Sequence, residues 1–485
     1  MEPAISLKGI TSEDIPLAVR KAKYAVRGPI VARAAELEED LKNGVKYPFT
    51  ELIYCNIGNP LAPSIGYQRL TYIQQAMACF NYPALLNDDT IPSDIKTFVR
   101  HIQDASGSPY IAGAYSHSQG LMPIRKLVAK FIEKRDNVSN IDPNDIFLSD
   151  GASSIIKLIM NLFIYGENDA ILLPSPQYPL YAATATLLNC TISYYDEDEE
   201  NDWVFNKEAV LEAYNKAVAL GTRPKMIVII NPNNPTGSYL SDEDIQFIIR
   251  FAYERNILIL ADEVYALNIY SDQLYFKSFL SVYEQMEDCR GAQIVSVNSV
   301  SKGVFGECGS RGGYGHVRNL HDDILTELKK LASINLCPNL NGQFVVACMA
   351  SQPQMGSESY ALFKQEFDER QRSLREKCIL GHKLLENDKY LSVRGGWASL
   401  YLYIKVNAPQ KYFEVCEKKN EDPSFKFCLG LLENTGIVTV SSSGFEPVSE
   451  KIHFRLTILP NPIDRFERCL ERIKEYTNNL LQKYE

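Results

Sequence analysis

One pattern between residues 146 and 297 constrains this chain more than any other. Short runs of apolar residues alternate with stretches of helical periodicity. The runs are Ile146-Phe-Leu-Ser149, Ala170-Ile-Leu-Leu173, Thr191 to Tyr195, Met226-Ile-Val-Ile-Ile230, Ile257-Leu-Ile-Leu260 and Ile294 to Val297. Between them, Ser154 to Tyr165 reads as a helix. Ser241 and Asp244 form a capping box ahead of Ile245, Ile248, Ile249 and Ala252, which share one helix face. Strands that are apolar along their length are buried on both sides. The pattern therefore predicts an α/β fold, a mostly parallel sheet sandwiched by helices.

The flanks read differently. A charged helix is expected over Val31 to Lys42, a short strand that starts at Leu52 and is broken by Gly58-Asn-Pro60, and a helix from about Tyr67 to Cys79. Residues 105–120 are rich in small side chains and read as a long loop, a kind that is usually functional. From 355 a charged helix runs through Asp388. Strands follow at Ala398 to Val406, Ile437 to Val440 and His453 to Ile458, and a last helix places Ile463, Phe466, Leu470 and Ile473 on one side. The predicted division is an N-terminal arm and part of a small domain (1–95), a large domain (96–350) and the rest of a small α+β domain (351–485), so both chain ends build the small domain.

Composition narrows the function. With 50 Lys and Arg against 60 Asp and Glu, a net charge of −10 and no basic stripe, neither nucleic acid nor an anionic membrane is expected as a partner. No apolar run approaches the ~18 residues of a membrane span. The start, Met1-Glu-Pro-Ala-Ile-Ser6, lacks the basic-then-apolar layout of a secretory signal. Eleven scattered cysteines without C-x-x-C spacing, and six scattered histidines, predict reduced thiols, no metal and a cytoplasmic location.

In an open parallel sheet, ligands gather beyond the carboxyl ends of the strands. After the first run stands Gly151-Ala152-Ser153, where a helix N-terminus suits a phosphate, although this is also an ordinary helix cap. After the second comes Tyr178, either a ring wall or packing. After the fourth is Asn231-Pro-Asn-Asn234-Pro-Thr-Gly237. The next ends in Asp262-Glu-Val-Tyr265, where an aspartate is costly unless a cation pairs with it or it caps a helix. The last delivers Ser299-Val-Ser-Lys302, followed by five glycines and Arg311 before Tyr314. An amine at the end of a buried strand is expensive as a charge, which points to a covalent catalyst. The whole set suits pyridoxal phosphate. Lys302 would form a Schiff base, and Asp262 would keep the pyridine nitrogen protonated. Tyr265 and Asn234 would bond the ring oxygen, and Tyr178 would stack on the ring. Ala152, Ser153, Ser299 and Arg311 would hold the phosphate.

The motifs Asn231-Pro-Asn-Asn-Pro-Thr-Gly237, Ala261-Asp-Glu-Val-Tyr265, Pro176-Gln-Tyr-Pro-Leu-Tyr181, His453-Phe-Arg455 and, above all, Gly306-Glu-Cys-Gly-Ser-Arg-Gly-Gly-Tyr314 carry a resemblance. The chain is similar to the fold-type-I aminotransferases, and within them to the alanine aminotransferases, from Tyr24 to Pro460. The resemblance implies reversible ping-pong transfer between L-alanine and 2-oxoglutarate, with Lys302 as base. It implies that Arg455 grips the substrate carboxylate, with Gly58 and Asn234 beside it. It also implies that Tyr115 reaches the cofactor phosphate of a neighbouring subunit, hence a homodimer. The group for a distal substrate carboxylate is not placed; Arg27 is one candidate, an interface salt bridge its other reading.

Four departures from the family pattern stand out: Asn233 for glycine, Asn298 for histidine, Ser441-Ser-Ser-Gly444 for Pro-Gly-Ser-Gly, and Gly395-Gly-Trp-Ala-Ser399 for Glu-Gly-Ala-Met-Tyr. The last two are expected on the substrate side. Competing readings are an aromatic or 2-aminoadipate aminotransferase, a carbon–sulfur lyase, and a transcription regulator of the same fold, for which residues 1–50 are too few. Ser299-Val-Ser-Lys302 also matches an acyl-transfer S-x-x-K, but the chain holds neither Ser-Asp-Asn nor Lys-Thr-Gly.

Overall fold

The computed structural model describes residues 9–24, 28–445 and 451–485. After a two-residue strand, β1 (Ile53–Tyr54), come β2 (Ile146–Asp150), β3 (Asp169–Ser175), β4 (Thr191–Asp196), β5 (Arg223–Ile230), β6 (Leu258–Asp262), β7 (Ile294–Ser299) and β8 (Gly312–Arg318). The latter seven form one sheet in the order β2-β8-β7-β6-β5-β3-β4, parallel throughout except for β8, which runs antiparallel to both β2 and β7. The expected mostly parallel sheet is therefore present, with one strand added. Gly312-Gly-Tyr-Gly-His reads as loop because small residues dominate it, yet Gly313 to Arg318 pair residue for residue with Ser299 to Ile294.

Both faces of this sheet are covered, as its continuous apolar strands require. Alternation sends Ile171, Leu173, Val228 and Leu260 to one side, against Ile155, Ile156 and Ile159 of the helix Ala152–Phe163. It sends Leu172, Ile227, Ile229 and Ile259 to the other, against Ile245, Ile248 and Ile249 of the helix Asp242–Arg255 and Phe344 of Leu340–Ala350. The Ser241–Asp244 capping box forms as read, with the Asp244 N–H 3.1 Å from the Ser241 hydroxyl. The helix Thr71–Asn81 joins this core through Ile73, Ala76 and Phe80.

A second sheet contains β9 (Leu391–Val393), β10 (Tyr401–Val406), β12 (Val440–Ser441) and β13 (Ile452–Thr457) in the order β12-β13-β10-β9, all antiparallel, while β11 (Ile437–Val438) pairs in parallel with β1. Ile30, Ala34, Leu37, Leu52 and Ile53 share one core with Leu402, Phe454, Phe466 and Leu470. An early segment and the last hundred-odd residues are thus packed together. This brings Gly58, just beyond β1, and Arg455, on β13, to the carboxyl ends of β5, β6 and β7.

Candidate active site

The carboxyl ends of the parallel strands open into a cavity of about 700 Å³. Gly58, Ala152, Ser153, Tyr178, Asn234, Asp262, Tyr265, Ser299, Lys302, Arg311 and Arg455 all line it. Of the site residues read from sequence, Tyr115 alone is not among them: it stands 80% exposed on the loop before the helix Met122–Asp136. Arg27 lies outside the described residues.

Lys302 emerges from the turn after β7. Its Nζ donates to the Gly58 carbonyl at 2.9 Å. Gly58 has to be a glycine because of closeness: a Cβ there would lie 2.4 Å from the Tyr401 hydroxyl and 3.0 Å from Lys302 Nζ. The Gly-rich loop that follows Lys302 is braced from below. Buried Glu307 takes two bonds from Arg69, at 2.8 and 2.9 Å, and Arg370 donates to the Val304 and Phe305 carbonyls.

Asp262 ends β6 with its carboxylate buried among the cavity walls. Burial pushes its pKa up to about 6, against the opposing pull of a 2.6 Å hydrogen bond from the Tyr181 hydroxyl, the Val264 N–H at 3.2 Å and the Lys302 charge. Its neighbour Glu263 faces the other way and pairs with Arg135 at 3.2 Å, so strand alternation selects which acid meets the cavity. Tyr181 was missed by sequence reasoning. The available signal was its position three residues after Tyr178, at the opening of the helix Leu180–Leu187. Burial, then the adjacent Asp262, drives the Tyr181 phenol well up, so it remains a donor.

At the other end of the cavity is an anion cradle. The helix Ala152–Phe163 begins at Gly151 with no side chain capping its first N–H groups, which leaves donors and a positive dipole end available. Arg311 Nη2 donates to Ser153 Oγ at 3.1 Å and to the Asp150 carbonyl at 3.0 Å. Gly151 adopts φ +75°, and a Cβ on it would sit 2.3 Å from Arg311 Nη2. Ser299 and Ser301 add hydroxyls beside these groups.

Arg455 closes the third side, 1% exposed. Nη1 donates to Asn234 Oδ1 at 2.7 Å, Nη2 donates to the Asn56 carbonyl, and the guanidinium lies 4.0 Å over the Tyr401 ring and 4.7 Å from Phe445. Its Nε is buried without a hydrogen-bond partner among the described residues. A buried donor left free is costly, so this one suits an incoming carboxylate. Tyr24 also lines the cavity, its hydroxyl 2.7 Å from that of Tyr178.

The departures from the family pattern resolve individually. Asn233 donates to Glu197, a carboxylate that Thr236 and Ser238 also bond from the same loop, at 3.1 and 3.2 Å. Asn298 Oδ1 accepts the Ser299 N–H at 2.7 Å and so shapes the strand end before Lys302. The expectation that Gly395–Ser399 faces the substrate is corrected. Gly395, Gly396 and Trp397 line a separate hollow with Tyr239 and Arg375, because the Trp397 ring is stacked flat on His382 at 4.0 Å. Ser441 to Gly444 is likewise absent from the cavity walls, although Phe445 next to it reaches Arg455.

These residues fit pyridoxal phosphate: an amine without an ion pair among the described residues, held by the Gly58 carbonyl, lines one cavity with a buried acid for a ring nitrogen and a cradle for a dianion, with an unsatisfied guanidinium nitrogen to one side. Residues 82–473 match the family model for aminotransferases of class I and II, and the chain belongs to that family. Its curated relatives are narrower in name. It is 39% identical over 98% of its length to alanine aminotransferase 2 of Xenopus tropicalis, covering 91% of that protein. It is 37% identical over 99% of its length to alanine aminotransferase 1 of Mus musculus, covering 97% of it. A probable mitochondrial alanine aminotransferase of Dictyostelium discoideum is 38% identical, with 98% of this chain and 90% of that protein covered. Among solved structures, an alanine aminotransferase from Pyrococcus furiosus shares the fold with a TM-score of 0.74 at 23% identity, covering 96% of this chain and all of that one.

Proposed function

We propose that the chain is a pyridoxal-phosphate-dependent alanine aminotransferase, moving an amino group between L-alanine and 2-oxoglutarate to give pyruvate and L-glutamate. The observation that carries this reading is one cavity in which Lys302, buried Asp262 and buried Arg455 face a common space. The relatives' names agree with it over nearly the full chain.

When bound, pyridoxal phosphate supplies an electron sink that makes the α-proton of an amino acid removable. The protein supplies the rest. Asp262 would keep the ring nitrogen protonated, and its own hydrogen bonds from Tyr181 and Val264 keep the carboxylate oriented. Ala152, Ser153, Ser299 and Arg311 would hold the phosphate, with Tyr178 available to stack on the ring. Tyr265 and Asn234 would bond the ring oxygen. Arg455 offers Nε and its Nη groups to the substrate α-carboxylate, and Asn234 holds the guanidinium in place. Lys302 Nζ takes the proton from substrate Cα and later releases it; the Gly58 carbonyl 2.9 Å away keeps the amine aimed between visits.

The same reading makes the protein a homodimer, since Tyr115 stands exposed and apart from the cavity of its own chain; sedimentation of the purified chain tests it. It also assigns the protein to the cytoplasm, a location tested by cell fractionation. The reading's direct test is chemical trapping. Borohydride reduction of the chain incubated with pyridoxal phosphate, followed by peptide mass mapping, is expected to find the cofactor mass on the Lys302 peptide. Mass on another lysine, or on none, would overturn it.

A further inference from the structure

Tyr401 has no role in the account above, yet it sits at the centre of the site. It opens β10, is 3% exposed, and lines the cavity. Its hydroxyl accepts a hydrogen bond from Tyr265 at 3.3 Å. Its oxygen and the Lys302 amine flank the same glycine, as the two short Cβ distances at Gly58 show. The Arg455 guanidinium lies 4.0 Å over its ring centroid. One side chain thus lies beside the base and under the carboxylate anchor at once.

We propose that Tyr401 is a further catalytic residue of this reaction, its hydroxyl a proton-holding partner for the Lys302 amine and its ring the platform for Arg455. The proposal rests on the reading of Lys302 as the base. A phenol oxygen that accepts from Tyr265 still carries its own hydrogen, which it donates to a neutral amine. Once Nζ has taken the proton from substrate Cα, the same oxygen accepts from the ammonium instead. Nζ gives that proton up later in the cycle, and Tyr401 ends as it began, so protons balance.

The charges around the phenol favour the exchange. Lys302 after β7, Arg455 on β13, Tyr265 and Asp262 after and on β6, and Tyr178 are the titratable groups that face it. Burial opposes ionisation of Tyr401, but Lys302 and Arg455 outweigh it and bring the pKa down to about 8. That lies closer to an amine doing proton transfer at neutral pH than an ordinary phenol does. Three other tyrosines at the site, Tyr178, Tyr181 and Tyr265, are pushed upward by burial.

Two measurements test this. In the full chain without added cofactor, ultraviolet phenolate absorbance followed against pH is expected to show a step near pH 8. The step should vanish in Tyr401→Phe and move upward in Lys302→Met. A step that survives Tyr401→Phe, or that Lys302→Met leaves in place, would overturn the proposal. In the cofactor-loaded enzyme, loss of deuterium from Cα of labelled L-alanine should slow about 10- to 100-fold in Tyr401→Phe. Binding of a dicarboxylate inhibitor should change less than about twofold, because the ring under Arg455 is kept. An unchanged exchange rate, or rate and inhibitor binding lost together, would count against it. If instead no cofactor is trapped on wild-type Lys302, it is the proposed function that fails.

Discussion

Arg455 Nη1 lies 2.7 Å from Asn234 Oδ1, so a guanidinium from the small sheet and an amide from the loop after β5 are fixed to each other inside the cavity. The pair crosses from one core to the other. Removing the amide should leave Arg455 free to swing on its remaining bond to the Asn56 carbonyl. A hydrogen bond to a charged group contributes about 1.5–3 kcal/mol. Asn234→Ala is therefore expected to lower kcat/KM for L-alanine about 10- to 100-fold, with weaker carboxylate-inhibitor binding measured by titration.

The buried acid makes a prediction in two opposite directions. Asp262 titrates at about 6 in the folded chain against an ordinary 3.8, so its protonated form is favoured by folding. In the cofactor-free protein its contribution is therefore fully present below pH ~4 and is lost as pH rises through about 6. Asp262→Asn keeps an acceptor for Tyr181 but removes the buried charge. Near pH 7 the cofactor-free variant should gain stability on the order of 2–3 kcal/mol, read by denaturant unfolding, and the gain should shrink toward pH 4. The loaded variant should lose about 100-fold or more in kcat, because the proton on the ring nitrogen is no longer held by an anion.

Gly151 separates phosphate binding from ring binding. A methyl group at this position would meet Arg311 Nη2 at 2.3 Å, and the backbone at φ +75° disfavours any side chain. Gly151→Ala should displace the guanidinium from Ser153 and weaken pyridoxal phosphate binding about tenfold or more. Affinity for unphosphorylated pyridoxal, compared by absorbance titration, should change little.

Glu199 ties the large sheet to the small one. It follows β4, and it receives Lys405 at 2.7 Å, His453 at 3.1 Å and Lys451, from β10, from β13 and from the residue just before β13. Burial opposes its charge, but the bonds from His453, Lys405 and Lys451 outweigh this and hold its pKa well below the usual carboxylate range. Its stabilising effect is thus present above about pH 4.5 and fades as pH falls. Glu199→Gln should cost about 3–5 kcal/mol at pH 7, and the cost should shrink steadily as pH falls below about 4.5. The KM for L-alanine should rise too, since His453 lies two residues from Arg455.

Much of this was legible in the sequence because strands such as β3, β5 and β6 are apolar along most of their length and the sheet leads into polar residues that have no structural need to be there. Lys302, Asp262 and Asn234 stood out for that reason, and the cavity gathers them. What stayed hidden is also physical. β8 is built from Gly312, Gly313 and Gly315, which pack against Gly342, Gly151 and Ile155, so its sequence carries close approach and no strand propensity. Tyr401 and Tyr181 are aromatics within apolar runs, indistinguishable from core until their hydroxyls are seen to meet Tyr265 and Asp262. Trp397, a departure that invited a substrate role, is held away by its stacking on His382.

The most direct test of the account is to follow pyruvate released from L-alanine and 2-oxoglutarate by the purified chain supplied with pyridoxal phosphate, beside Lys302→Ala under the same conditions. Sustained pyruvate formation by the wild-type chain, with none above background in Lys302→Ala, is the predicted result. Transfer from an aromatic donor but not from L-alanine, or pyruvate formation that persists in Lys302→Ala, would contradict it.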